Sequence, residues 1–336
     1  MKIDVDILEN DILKKYPGVL DILLRDHTTQ QNIFWATNNY QEIGENYKYA
    51  SPILTDLITG VNGHIIMPRV KKGKELQESR VREMAEVFTP SWICNAQNNL
   101  IDNAWFKREN IFNSEINLPD GTKTWSVNKK KITFPKGKTW KDYIRDKRLE
   151  LACGEAPYIT SRYDTTTGEF ISINKRVGLL DRKLRVLNEN VKDSGEWLLG
   201  AQTAYKNTYA FEWQGDSLLL AREAVLITFI ENYTLKFGKE PLLKSIQYMA
   251  YIISWNFWQM DGLKMVIPNS CGAMTTETEN LFGDTEKITK DCEGCAKDNV
   301  MKHNGKYSLI MDWNNKDLET GKKGRKIKFI DLLKIK

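Results

Sequence analysis

The spacing of hydrophobic and polar positions changes several times along the chain, and each change marks an element. Charged and apolar residues interleave over 5–24, which predicts a helix, and aromatic positions crowd the stretch after it (Phe34, Trp35, Tyr40, Tyr47, Tyr49). Residues 114–139 are polar and carry the turn signal Pro119-Asp120-Gly121, so a hairpin or loop insertion is expected there. Residues 148–152 read as a short strand ending at Cys153-Gly154. Leu180, Leu184, Leu187 and Val191 then fall at i, i+4, i+7 and i+11, the apolar stripe of a helix. The run 208–211 is β-prone and ends in Glu212, and Leu218, Ala221, Val225 and Phe229 mark the next amphipathic helix. A helical stretch over 242–253 leads into a third β-prone run, 255–258, which ends at Asp261.

Strand and helix therefore alternate, which predicts an α/β sheet with crossover helices. Ligands of such sheets bind at the carboxyl ends of the strands. Glu150, Glu212 and Asp261 stand at those ends. From residue 268 the pattern dissolves into Gly, Asn, Asp, Thr and Cys, until 307–311 offers a fourth strand and 327–330 a last β-prone run. The expected organisation is an N-terminal mixed α/β extension (1–80), a central sheet domain (81–265) and a loop-rich C-terminal region (266–336).

Composition narrows the function classes only a little. The sequence lacks an apolar run near the roughly 20 residues that a membrane helix needs, and its N-terminus lacks the apolar stretch of a secretory signal, so a cytoplasmic protein without a membrane partner is expected. A net charge of +5, from 49 basic and 44 acidic side chains, permits a nucleic-acid partner without demanding one. The basic residues gather in three groups, Lys71/Lys72/Lys74, Lys129–Lys131 with Lys136 and Lys138, and Lys322/Lys323/Arg325/Lys326/Lys328, which read either as solvated loops or as phosphate contacts. Five cysteines without a secretory signal argue against a disulfide framework. Cys292-Glu293-Gly294-Cys295 is a tight C-x-x-C knuckle, and with Cys271 and His303 it makes a candidate Cys₃His zinc site. Free thiols in a loop are the alternative.

Four segments carry a resemblance. The run 82–90, ending Phe88-Thr89-Pro90, resembles the segment with which amino-methyltransferases contact S-adenosylmethionine (SAM). Residues 149–158, Leu-Glu-Leu-Ala-Cys-Gly-Glu-Ala-Pro-Tyr, resemble the D-P-A-C-G-S-G-x-F motif of that family. Tyr209-Ala210-Phe211-Glu212 resembles the second-strand motif, and Gln259-Met260-Asp261-Gly262-Leu263 the third. Their order is the one used by adenine-N6 DNA methyltransferases of restriction–modification systems, over about residues 80–265. The resemblance implies a SAM-dependent methyltransferase-like Rossmann sheet. It implies that Phe88, Thr89 and Pro90 line the methionine side of SAM and that Glu150 faces the ammonium. It also implies a turn of Ala152, Cys153 and Gly154, Glu212 on the ribose and Asp261 on the adenine.

Two departures stand out. The family's second motif glycine is Ala156 here, followed by Pro157, so a different local loop is expected. The transfer motif, Asn or Asp followed by Pro-Pro and an aromatic residue, is missing, because no two of the nine prolines are adjacent. Asp312 and Trp313, after the fourth strand, supply an acid and an aromatic ring at about the right place and are the candidate catalytic pair. The expectation is a DNA adenine-N6 methyltransferase or modification subunit that binds SAM and DNA, with a second restriction–modification chain supplying the transfer loop and target recognition. The alternatives are a non-catalytic SAM- or DNA-binding relative, regulatory or anti-restriction, and a DNA-processing subunit that keeps the sheet as a scaffold.

Overall fold

A computed structural model describes residues 5–84, 89–279, 285–317, 321 and 323–334. The expected first helix is two: α1 (Glu9–Lys15) and α2 (Val19–Leu24). Pro17 is the reason for the break. A residue before proline avoids the helical region, and Tyr16 sits at φ −129°, ψ 75°, while Gly18 turns the chain at φ +76°. The aromatic stretch that follows is irregular and leads to α3 (Thr55–Ile58), α4 (Lys74–Met84) and α5 (Ser91–Phe106). The expected hairpin forms as β1 (Asn113–Asn117) and β2 (Lys123–Val127), antiparallel with Asn113 opposite Val127, and Gly121 (φ +83°) lies in the turn. A short α6 (Trp140–Arg145) precedes the central sheet.

That sheet has three parallel strands in sequence order, β3 (Arg148–Glu150), β4 (Thr208–Glu212) and β5 (Phe257–Gln259). The first crossover is α7 (Leu179–Asn190) with α8 (Ser194–Lys206), and the second is α9 (Gly215–Phe237) with α10 (Leu243–Asn256). Two successive right-handed crossovers stepping the same way put both helix pairs on one face of a sheet. The burial pattern follows from this. Ala210 and Phe257 join one large apolar core with Leu184 and Leu187 of α7, Ala201 of α8, Leu218, Val225 and Phe229 of α9, and Ile253 of α10. Ile12, Leu20, Leu23, Trp35 and Ile53 belong to the same core, so the first 80 positions share it with the sheet. The alternate strand residues Tyr209, Phe211 and Trp258 point the other way.

The second face is closed by the C-terminal part. Beyond β5 come β6 (Met274–Glu279) paired with β7 (Thr285–Lys290), α11 (Glu293–Ala296), and β8 (Leu309–Lys316) paired with β9 (Lys323–Lys328), both pairs antiparallel. Ile310 of β8, Ile327 of β9 and Phe329 cover Phe211, Trp258 and Met260. The expected fourth strand is thus present, but it pairs with β9 in a hairpin rather than extending the parallel sheet. A parallel addition needs a crossover that spans the sheet, usually a helix, and the chain between β5 and β8 is spent on the β6–β7 hairpin and the cysteine knuckle. The protein is therefore mixed helix and sheet, with small separate sheets among the described residues. No described helix is long and apolar enough to cross a membrane.

Candidate cofactor edge and cysteine cluster

The carboxyl edge of the central sheet brings together Glu150, Ala152, Cys153, Gly154 and Glu212. Glu150 ends β3 and is 7% exposed; its Oε1 accepts the Tyr158 N–H at 3.3 Å, and its Oε2 has no partner among the described residues. After it, Ala152, Gly154 and Ala156 alternate in the left-handed region at φ +47°, +52° and +59°. Ala156 thus adopts the glycine-type conformation with its methyl in place. The zigzag aims the Gly154 N–H at the next strand, where Glu212 Oε2 accepts it at 2.7 Å. Glu212 Oε1 accepts the N–H groups of Trp213 (2.9 Å) and Gln214 (3.2 Å). Burial holds the Glu150 carboxyl well above the usual carboxylate range, with the nearby Glu212 charge adding to it. Burial also raises Glu212, against the pull of its three backbone donors.

Thr89 and Pro90 arrive at the same place. Pro90 precedes α5 at φ −55°, Cys94 Sγ lies 3.7 Å from Thr89 O, and the Glu150 charge acts on the Tyr158 phenol. Phe88 lies outside the described residues. Asp261 stands past β5, where its Oδ1 accepts the N–H groups of Leu263 (2.9 Å) and Lys264 (3.0 Å) and closes a turn. An aromatic group that the strand pattern did not point to lines this end. Trp213 Nε1 donates to the Tyr49 hydroxyl at 3.1 Å, the Phe34 and Tyr49 rings are 6.1 Å apart, and the Asp261 charge acts on the Tyr49 phenol. All three rings are partly exposed. The only sequence hint was aromatic crowding around residues 34–49.

The left-handed alanines yield a stability prediction. An L-residue in this region costs roughly 1–2 kcal/mol, and glycine escapes that at a backbone-entropy cost of about 0.5–1 kcal/mol. Ala152 is exposed, so Ala152→Gly loses no packing. Urea unfolding should show a gain of up to about 1 kcal/mol; a loss would contradict the turn.

The cysteine knuckle is as compact as its spacing suggests. Cys271 Sγ lies 3.2 Å from Cys292 Sγ and 3.5 Å from Cys295 Sγ. His303 Nδ1 lies 3.3, 3.6 and 3.6 Å from the sulfurs of Cys271, Cys292 and Cys295. Desolvation works against ionisation of Cys292, but the Asn304 N–H and its neighbours in the knuckle hold its thiol down at about 6. A Cβ on Gly294 would sit 2.6 Å from both His303 N and Nδ1, so glycine is the residue that fits at position 294.

Compared with known proteins, this chain has no match among family models, curated proteins or solved structures. Its chemistry is read from its own residues.

On that basis the catalytic pair needs correction. Trp313 Nε1 donates to Asn256 Oδ1 at 2.8 Å, and Asn256 is the last residue before β5. Asp312 accepts from Asn315 Nδ2 at 2.6 Å and feels Lys147, which precedes β3. Asp312 and Trp313 therefore sit at the amino edge, opposite Glu150 and Glu212. The cause is strand direction. A parallel fourth strand would deliver its following residues to the carboxyl edge, whereas β8 starts near Gln259 (Ser308 Oγ to Gln259 O, 3.4 Å) and runs the other way. Of the basic groups, Lys72 is buried against Asp216 at 3.5 Å and is neither solvated nor free for phosphate, while Lys129, Lys130, Lys136, Lys326 and Lys328 are exposed.

Proposed function

We propose that this chain binds SAM at the carboxyl edge of its sheet and serves as the modification component of a DNA adenine-N6 methylating restriction–modification system. The finer expectation of a Rossmann-type methyltransferase domain belongs to the same proposal. One observation carries the cofactor reading: Glu150 keeps an unpaired, buried Oε2 beside a left-handed turn that Glu212 holds from the neighbouring strand. A buried carboxyl with an orphan oxygen suits a cation, here the methionine ammonium. Glu212 is the acid for the ribose diol, and Asp261, with the Trp213/Tyr49 pair, stands where an adenine would lie. Bound SAM would supply an activated methyl group.

The reading predicts proton release. Burial raises the Glu150 pKa and so favours its neutral form, whereas an ammonium against it favours the ionised form. Calorimetric titration of SAM in two buffers of different ionisation enthalpy should therefore show a proton leaving the protein. Affinity should rise with pH until Glu150 ionises by itself. Glu212→Ala removes a charged acceptor and should weaken binding roughly ten- to hundredfold. If SAM does not bind, or if Glu150→Gln and Glu212→Ala leave the titration unchanged, the cofactor reading is wrong.

The placement of Asp312 and Trp313 at the amino edge favours a transfer loop supplied by a second chain. It equally favours the second reading, a SAM-binding relative without transferase activity. Tritiated methyl transfer to adenine in DNA, with and without the product of the neighbouring gene, separates the two.

A further inference from the structure

Residues 268–306 are poor in core. Pro268 and Cys292 are the apolar side chains buried there among the described residues, and neither apolar cluster includes any residue of the stretch. Yet the segment makes a hairpin, a helical turn and a 3₁₀ turn in defined positions. Something other than apolar burial must hold it.

We propose that Cys271, Cys292, Cys295 and His303 bind one zinc ion, and that this ion is the fold-determining element of the C-terminal region. The four ligand atoms all lie within 4.8 Å of one another. Zinc with Zn–S near 2.3 Å and Zn–N near 2.0–2.1 Å implies tetrahedral edges of about 3.8 Å between sulfurs and about 3.6 Å from sulfur to nitrogen. Two of the three S–S distances, 3.2 and 3.5 Å, and the N–S distances of 3.3–3.6 Å are a few tenths of an ångström shorter than or equal to these edges, and the third S–S pair lies within 4.8 Å. The cysteines are free, and 3.2 Å is far beyond a disulfide bond of about 2.05 Å. A multi-iron cluster would hold its ligands much farther apart than these edges. Three thiolates and one imidazole select zinc over hard cations, and four protein ligands close the tetrahedron, which marks a structural rather than a catalytic metal.

The surroundings fit the same assignment. The Asn304 N–H points at Cys292 Sγ from 3.3 Å, an outer-shell bond that stabilises a metal thiolate. His303 offers Nδ1, while its backbone N–H donates to the Tyr307 hydroxyl at 2.9 Å, which donates in turn to Val300 O at 2.7 Å and fixes the approach of the imidazole. Cys271 precedes β6 and Cys292 follows β7, so the ion closes the base of that hairpin. The order then passes to the sheet. Ile267 N donates to Lys306 O at 2.8 Å, Val266 bridges Tyr307, and the next residues enter β8, which covers Trp258 and Phe211.

The test uses the full chain purified without added metal. Elemental analysis should find close to one zinc per chain, and titration of the thiols should release it. The cobalt-substituted chain should show the visible d–d bands of a tetrahedral site and sulfur-to-metal charge transfer. Cys295→Ser, at the exposed ligand, should lose the metal at least tenfold more readily to a chelator, whereas His303→Cys keeps a four-ligand set and should retain it. Stripping the metal should increase the exposure of Trp258 to quencher. Absence of near-stoichiometric metal in the wild type overturns the proposal even if a variant fails to fold, as does unchanged retention in Cys295→Ser. SAM binding has no part in these readouts, so this proposal and the cofactor reading fail separately.

Discussion

Gly215→Ala should destabilise the protein by about 3 kcal/mol or more, the upper end of the cost of overpacking, although alanine in a helix normally stabilises by about 1 kcal/mol relative to glycine. The sign reverses because of what lies over the residue. A Cβ on Gly215 would stand 2.1 Å from the Phe34 carbonyl oxygen and 2.9 Å from its carbon. These are backbone atoms and cannot rotate away, so the 34–35 segment must lift. Lifting it breaks the Gly215 N–H to Trp35 O bond (3.0 Å) and the two bonds by which the Gln259 amide clamps Phe34, to its N–H at 3.1 Å and its carbonyl at 2.9 Å. Each contributes about 1 kcal/mol net. Gly73→Ala is the control, since nothing lies within 4 Å of the added methyl. Urea unfolding of both variants decides the matter, and a Gly215→Ala protein as stable as the wild type would show that the segment is not packed this way. The damage reaches the carboxyl edge of the sheet, because the Phe34 ring lies 6.1 Å from that of Tyr49, whose hydroxyl accepts from Trp213 Nε1.

What could be read from the sequence follows from what local patterns encode. The β-prone run 208–211 marked a strand without saying which side each residue faces, and the 218/221/225/229 spacing marked the buried stripe of α9; all four of its residues are fully buried. Neither pattern names a partner. The 307–311 run was recognisable as a strand, yet its direction depends on the hairpin with β9, and a reversed direction moved Asp312 and Trp313 to the wrong edge. The Pro17-Gly18 break lay in plain view and was overridden by periodicity.

The site divides in the same way. Glu150, Gly154 and Glu212 were legible because one short motif and one strand end specify them, and their mutual contact needs only two adjacent parallel strands. The C-x-x-C spacing flagged the cysteine cluster, and the long gap back to Cys271 is bridged by the β6–β7 hairpin. The Trp213–Tyr49 contact joins residues 164 positions apart, which no local pattern reports. Lys72 sat in a run of lysines, and a charge run says nothing about which member turns inward.

Asp216, which Lys72 meets, should be worth about 3–5 kcal/mol at neutral pH, the cost of breaking a buried ion pair. Its carboxylate is fully buried at the start of α9. Arg80 Nη1 lies 2.9 Å from Oδ2 and Lys72 Nζ 3.5 Å from it, and the Tyr40 hydroxyl donates to Oδ2 at 2.7 Å. Burial alone would raise this carboxyl, but Arg80, Lys72 and Tyr40 more than offset it and hold it well below the usual carboxylate range. Asp216→Ala leaves the two cations without this buried counter-charge. The pH dependence has a definite sign. A carboxylate with a depressed folded pKa contributes stability that is complete above its unfolded value, about 3.9, and is lost as pH falls toward the folded value. The gap between wild type and Asp216→Ala should therefore stay constant from about pH 5 to 8. Below about pH 4 it should narrow by roughly 1.4 kcal/mol per unit. Asp216→Asn, which keeps the shape and removes the charge, should follow the same curve with a smaller offset at low pH. Urea midpoints for the three proteins at pH 7 and pH 3 test this. A gap that does not narrow in acid would assign the loss to packing and not to the ion pair that joins α4 to the start of α9.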